Sequence, residues 1–426
     1  MLTPHPLREA LHNEVHARPP ERLAAPLALS HLAVLTPNGE GVAAREHLNA
    51  LLRSRHLPLP AEDASHVSLE LGGGLHLRWE RHTEFQTFTF WRAEREAPSF
   101  DAMPSTLLPQ DWLARTPGQW LVGLHLAVLP QFDLHGAQLV RDALDDDSLV
   151  ASTVMDAQGE VATDFRLHAD GYARCVLRVG QMSARRLGRA VQRVVEIETY
   201  RMMALLGLPA ARAVGQTLAD AEAELARIAG AIRDARNDEE PELLRQLTAL
   251  AGRVEGLYAA THARFSASTA YFELVQRRID ELRETPLPGL QTIREFMDRR
   301  LAPAMQTCLW AQRRQQALSE RISRTSNLLR TRVEIAQQQG SQALLDAMNR
   351  RQKVQLLLQS AVEGLSVAAI TYYGAGLVGY LAKGAQKLGL AVAPEVLVAG
   401  AIPLIALATW LVVRRLHRAA HAAVEG

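Results

Sequence analysis

VQLLLQSAVEGLSVAAITYYGAGLVGYLA, residues Val354 to Ala382, decides how this chain is organised. It fills the 29 positions between Lys353 and Lys383, and Glu363 is its only charge. About 20 apolar residues cross a bilayer as a helix, so this stretch spans with residues to spare. A second stretch follows, VLVAGAIPLIALATWLVV at Val396 to Val413, with 18 positions free of charge. Its Trp410 stands near one end, where interfacial aromatics lie. Together the two predict a membrane hairpin. Arg350, Arg351 and Lys353 precede it and Arg414, Arg415 and Arg418 follow it, while the connection carries Lys383 and Lys387 against Glu395. Basic flanks stay on the cytoplasmic side. The expectation is an inner-membrane protein with both termini and its soluble part in the cytoplasm.

The remainder of the 426 residues fits a soluble body, with 48% hydrophobic and 22% charged residues over the whole chain. Lys and Arg number 47 against 46 acidic residues, a net charge of +1, which gives no global field for nucleic acid. Cys175 and Cys308 are far apart and outside any CxxC spacing, which excludes a disulfide framework and a zinc ribbon. The opening residues, MLTPHPLREALHNEVHARPP, lack the apolar core of a secretory signal. No GxSxG, HExxH or P-loop string occurs, and no cofactor is expected.

Along the chain, Leu7, Leu11 and Val15 mark an amphipathic helix over His5 to Ala17. Strands are predicted at Ala28–Leu35, Val67–Leu71, Leu75–Arg81, Phe85–Trp91, Trp120–Leu129, Leu149–Asp156, Thr163–His168 and Tyr172–Val179. Phe85, Thr87, Thr89 and Trp91 fall on one face of the fourth, with Phe88 and Phe90 on the other. Helices are predicted at Val42–Leu52 and His135–Leu144, and a proline-bearing linker at Ala97–Pro117. Short turns between strands favour a meandering, largely antiparallel sheet. From Gln181 strand signals vanish. Helices are expected at Met182–Leu206, ended by Gly207 and Pro209, then at Leu218–Ala235, Glu242–Glu284 and Thr292–Leu301, with Pro303 opening the next. That last helix should run from Ala304 into the bilayer. Leu318, Ile322, Thr325, Leu329, Val333, Ala336, Gly340, Ala343, Ala347 and Val354 form a coiled-coil seam along it. Its soluble part covers about 50 residues, roughly 75 Å. The fold class is thus α+β: an α/β domain over 1–180, a helical stalk over 181–353, and the hairpin with its basic tail over 354–426.

Three stretches resemble a known bacterial family: LHNEVHARPP at Leu11–Pro20, WERHTEFQTFTFW at Trp79–Trp91, and LLRTRVEIAQQQGSQALLDAMNRRQKVQLLLQSAVEGLSVAAITYY at Leu328–Tyr373. The family is domain of unknown function 3422, whose members are described as uncharacterised membrane-anchored proteins. The resemblance implies membership and brings no catalytic residues. In layout the chain is also similar to CorA-type magnesium channels, with a stalk helix continuing into the first span. Those channels carry a Tyr-Gly-Met-Asn signature; here Tyr373-Gly374-Ala375-Gly376 keeps its first two residue types and lacks the Asn.

Candidate sites cluster in the first span. A carboxylate within a span faces a cavity, a partner or water. On a helical wheel Gln359, Glu363, Ser366, Ile370 and Tyr373 share one face, a strip able to line a pore for a divalent cation. Gly364, Ala368, Thr371, Ala375 and Gly379 lie roughly opposite, as a small-residue packing face. The plainer alternative places Glu363, ten residues past Lys353, among the inner headgroups. His12 and His16, four apart around Glu14, have the spacing of two metal ligands but no third, and a structural helix on the sheet is the better expectation. Arg78, Glu80, Arg81, His82 and Glu84 form a charged cluster beside Trp79, read as a solvated sheet face rather than an acid–base site. Asp145, Asp146 and Asp147 read as a solvated turn and Gly72–Gly74 as a hairpin turn. Arg185, Arg186, Arg189 and Arg193 form a row suited to acidic lipid or a partner. The leading expectation is an oligomeric membrane-anchored scaffold or sensor, and the alternative a CorA-like cation channel lined by Glu363 and Ser366.

Overall fold

Strand β1, Leu27–Leu35, reads LALSHLAVL, and eight of its nine positions are buried. A strand covered on both faces has to be apolar nearly throughout, and the two polar residues here, Ser30 and His31, are hydrogen-bonded across to neighbouring strands. The computed structural model describes residues 5–9, 11–12, 19–36, 41–388 and 393–422. The chain forms two compact units, Met1–Asp234 with Glu242–Ser326, and Ala235–Pro241 with Asn327–Gly426.

The first unit is built on one nine-stranded sheet. Its strands are β1, β2 (His66–Gly72), β3 (Leu75–Arg81), β4 (Phe85–Ala93), β5 (Gln119–Pro130), β6 (Val150–Val154), β7 (Gly159–Thr163), β8 (Ala173–Val179) and β9 (Thr285–Pro286). Their spatial order is β2-β3-β4-β1-β5-β8-β7-β6-β9. Every neighbouring pair is antiparallel except β5 with β8. The mixed α+β class and the largely antiparallel sheet are as expected. Gly72, Gly73 and Gly74 all have positive φ and turn β2 into β3.

Helices cover both faces. On one, Leu48, Leu51 and Leu52 of α1 (Gly41–Ser54) pack with Leu32, Leu77, Trp79, Phe88 and Phe90. Trp112 of the short α2 (Gln110–Ala114) joins them, and α3 (Leu134–Ala143) extends this layer over Ala28 and Val176. The segment read as a linker, 97–117, is therefore core, because Phe100, Met103 and Trp112 are buried. On the other face lie α4 (Ala184–Leu205) and α6 (Glu240–Leu282), with Met203 and Tyr271 against Ala33, Phe85 and Val122.

Four expectations are corrected. The strand predicted at Thr163–His168 ends at Thr163, because the buried Asp164 carboxylate takes the backbone N–H groups of Asp145 and Arg166 and bonds His168 Nε2, drawing the chain into a loop. Strand pairing returns after Gln181, with β9 on the edge of β6. α4 ends at Leu205, before Gly207 as expected, but the next helix starts there rather than at Leu218: α5 runs Gly207–Asp234, and proline in a first turn forfeits no helical bond. A Cβ on Gly207 would meet Ser268 Oγ at 2.6 Å, so this glycine permits a close crossing. Pro303 lies inside one helix, α7 (Ile293–Lys387), rather than opening a new one. The Arg299 carbonyl it leaves unbonded faces water, since Arg299 and Pro303 are exposed, and buried Leu301 and Met305 hold the helix on either side. A capping box starts α7: Glu295 N–H donates to Thr292 Oγ1 at 3.1 Å, and Thr292 N–H to Glu295 Oε2 at 3.0 Å.

In the second unit α7 continues to Lys387 and α8 runs Pro394–Ala422. Of the expected seam, Leu318 and Ile322 are buried in the first unit and Leu329 in the second, while Gly340, Ala343, Ala347 and Val354 are exposed. Packing within the chain thus accounts for the burial of the upper seam, and its lower half is left exposed.

Candidate functional site

The sheet holds a buried polar network that strand register creates. Ser30 of β1 stands opposite His125 of β5, and its Oγ lies 3.0 Å from His125 Nδ1. Ser30 Oγ also accepts the Ser105 N–H at 3.0 Å, His125 Nε2 is 3.9 Å from Asp170, and the imidazole stacks on Tyr172 at 3.8 Å. Burial holds His125 down to about 4, so the ring is neutral. The residue types are those of a nucleophile relay, but Ser30 is wholly enclosed, and a nucleophile must reach its substrate. His31, opposite Thr89, bonds Thr89 Oγ1 at 2.8 Å and Thr199 Oγ1 at 3.0 Å, pinning α4 to the sheet. Its burial pushes it down to about 3. These networks stitch layers together.

The charged cluster of β3 is divided by the fold. Arg78 and Glu80 form a 2.8 Å ion pair beneath α4, and Arg78 also donates to the Pro19 carbonyl at 2.9 Å. With Glu21, Trp91, Gln192 and Glu196 they line a small cavity of about 60 Å³. Glu84 instead takes both terminal nitrogens of Arg264 on α6, at 2.8 and 3.1 Å. His82 stacks on Phe85, and Trp79 points to the opposite face, donating to Gln86 at 2.9 Å. This face is covered by helices, not solvated as expected, because α4 lies across it. Of the arginine row, Arg186 pairs with Asp156 and Arg193 with Glu281, leaving Arg185 and Arg189 exposed.

His16 and Glu14 lie outside the described residues; His12 is described. Among the described residues no group of three or more metal-type side chains converges. Asp145 caps the turn Asp146–Ser148 and pairs with Arg166.

The second unit holds the residues singled out in the apolar stretches. Two helices are long and apolar enough to cross a membrane by length and composition, α7 and Pro394–Arg415 of α8. They pack on each other where side chains are smallest. A Cβ on Gly374 would come within 3.1 Å of Ile405, and one on Gly379 within 3.2 Å of Val398. Ala375 and Ala382 are buried on the same stripe. Of the small-residue face, Ala375 and Gly379 thus meet α8, whereas Ala368 is exposed and Gly364 has open space around it. On the polar strip Gln359 Nε2 donates to Glu363 Oε1 at 3.4 Å and Ser366 Oγ to the Val362 carbonyl at 2.8 Å. Gln359, Ser366 and Tyr373 are exposed and Glu363 is half-buried.

The antiparallel contacts fix relative depth. Glu363 stands eleven residues before Gly374 and Arg415 ten after Ile405, so the two are nearly level. Arg414 lies over the Trp410 ring at 4.8 Å. At the other end Lys383 and Glu395 border the apolar stretches. Between these charged levels lie 19 residues of α7 and 18 of α8, about 28 and 27 Å at the helical rise.

An α+β body and a hairpin of membrane-spanning length define the class of protein. The chain belongs to the family described as Protein of unknown function (DUF3422), whose model matches residues 3–420. No curated protein and no solved structure matches it.

Proposed function

We propose that this is an inner-membrane protein whose hairpin anchors a cytoplasmic body, acting as an oligomeric scaffold or sensor. The observation that carries the reading is apolar surface left uncovered on both hairpin helices. Leu357, Leu365, Leu381 and Leu404 are 71%, 76%, 67% and 69% exposed. Each such leucine in water forgoes roughly 1.5–3 kcal/mol of burial, and contiguous patches of this kind mark membrane or partner surfaces. Matched lengths near the ~30 Å hydrocarbon thickness support the same reading, with Glu363, Arg414 and Arg415 at the inner headgroups. The apolar residues Val354, Leu357 and Leu358 then fall inside that boundary, where a parallel second copy, anchored at equal depth, would cover them. The domains proposed on this reading are 1–180, 181–353 and 354–426.

A second reading, a CorA-like divalent-cation channel, draws on the exposure of Gln359, Ser366 and Tyr373 along α7. One experiment separates the two. Vesicle flotation followed by light scattering of the detergent-solubilised protein should give a membrane-bound protein of low oligomeric number. A ring-sized oligomer whose divalent flux in liposomes changes with Glu363→Gln would replace the scaffold by the channel. A protein that fails to float would remove both.

A further inference from the structure

Beside the α7–α8 contact at Gly379, a groove of about 1280 Å³ opens, lined by Tyr372, Tyr380, Lys383, Gln386, Glu395 and Ile402 among others. Small-molecule sites span about 300–1,000 Å³, so this groove is of lipid size. Its floor includes Gly376, where an added Cβ would meet nothing within 4 Å. At its mouth stand one cation and one anion, Lys383 and Glu395. Although both border the same groove, neither has an ion-pair partner among the described residues. Opposite charges that share a groove and stay apart fit a ligand carrying both charges between them.

We infer that this groove holds one phosphatidylethanolamine molecule. The phosphate meets the Lys383 ammonium, the primary ammonium donates to the Glu395 carboxylate, and an acyl chain lies along Gly376 and Ile402. Charge-assisted hydrogen bonds of this kind are stronger than neutral ones. An anionic lipid would leave Glu395 facing a like charge. A choline head would offer it no N–H donor. The inference rests on the membrane reading above, since the groove lies within the depth assigned to hydrocarbon and headgroup.

The test uses full-length protein in phosphatidylcholine vesicles carrying a trace of photoactivatable phosphatidylethanolamine or phosphatidylglycerol, with flotation checked for every sample. Phosphatidylethanolamine should label the groove at about one per chain, roughly tenfold over phosphatidylglycerol, the ratio expected for one lost charged hydrogen bond. Lys383→Glu and Glu395→Lys should each lower labelling by about tenfold. Gly376→Leu, which fills the floor without touching the hairpin contact, should abolish it while flotation persists. Equal labelling by the two lipids, or labelling unchanged in all three variants, overturns the site. Protein that floats without labelling also overturns the site and spares the anchor; protein that does not float overturns the anchor.

Discussion

Gly188→Ala should destabilise the body although it adds a better helix former. A Cβ at this position of α4 would stand 1.7 Å from the Glu21 carbonyl oxygen and 2.9 Å from its carbon. Backbone cannot be displaced by rotating a side chain, so the 19–23 segment must lift. With it go the buried Leu23, the Leu23 N–H bond to the Ala184 carbonyl at 3.2 Å, and the Arg78 bond to the Pro19 carbonyl. Leucine burial contributes roughly 1.5–3 kcal/mol and a hydrogen bond to a charged group about 1.5–3. Alanine returns about 1 kcal/mol of helix propensity. The net loss is about 3 kcal/mol, or about 5 °C in melting temperature for a body of some 300 residues. Gly215→Ala in α5 is the control, because nothing lies within 4 Å of its Cβ position; it should gain up to about 1 kcal/mol. Calorimetry on the detergent-solubilised full chain reads both. A Gly188→Ala protein that melts at or above the wild-type temperature would refute the strap on α4.

Three further outcomes are expected. His31 and His125 sit at about 3 and about 4 in the folded protein, below the free value of 6.5. The unfolded chain therefore takes up protons first, and the stability they contribute is full above pH 6.5 and drains away as pH falls toward 4 and then 3. Between pH 7 and 4.5, denaturant unfolding should show His31 responsible for about 2–3 kcal/mol of loss, and an undiminished slope in His31→Gln would contradict this. Pro303→Ala should stabilise α7 by about 1–3 kcal/mol by restoring a donor to the Arg299 carbonyl; a lower melting temperature would mean the helix needs the proline. Thr292→Ala should cost about 1 kcal/mol through the lost capping box, and hydrogen exchange at Glu295 should rise; unchanged exchange would place the end of α7 under other control.

Elements whose polarity alternates were legible from sequence. The two faces of β4 came out as read, Phe88 and Phe90 in one core and Phe85 and Trp91 on the other side. What could not be read are pairings that exist only once register is set. Ser30 with His125, and His31 with Thr89, lie 95 and 58 residues apart in sequence, and nothing local marks them. Glycines and prolines misled for a related reason. Gly207 and Pro209 mark the end of α4 as read, yet they also open α5 at once, where one permits a close crossing and the other suits a first turn. A carboxylate such as Asp164 gave no sign of ending a strand, because its partners come from Asp145 and His168. In the hairpin, the small-residue stripe was legible in the residues but not which half of it meets α8, since that depends on side chains of α8 such as Ile405 and Val398, which a single helical wheel does not include.

The edge strand β9 has a consequence for the order of events during synthesis. The β6 edge receives Thr285, Pro286 and Gln291, so the sheet stays incomplete until nearly 300 residues have been made. The stretch between the charged levels begins at Gly364, about 70 residues later. At 5–20 residues per second this interval lasts roughly 4–15 s, while sheets rich in distant pairings close within milliseconds to seconds. The sheet thus has time to close before the apolar stretch emerges, and because the body itself extends to Ser326, slowing translation across 327–364 should leave its folding yield unchanged.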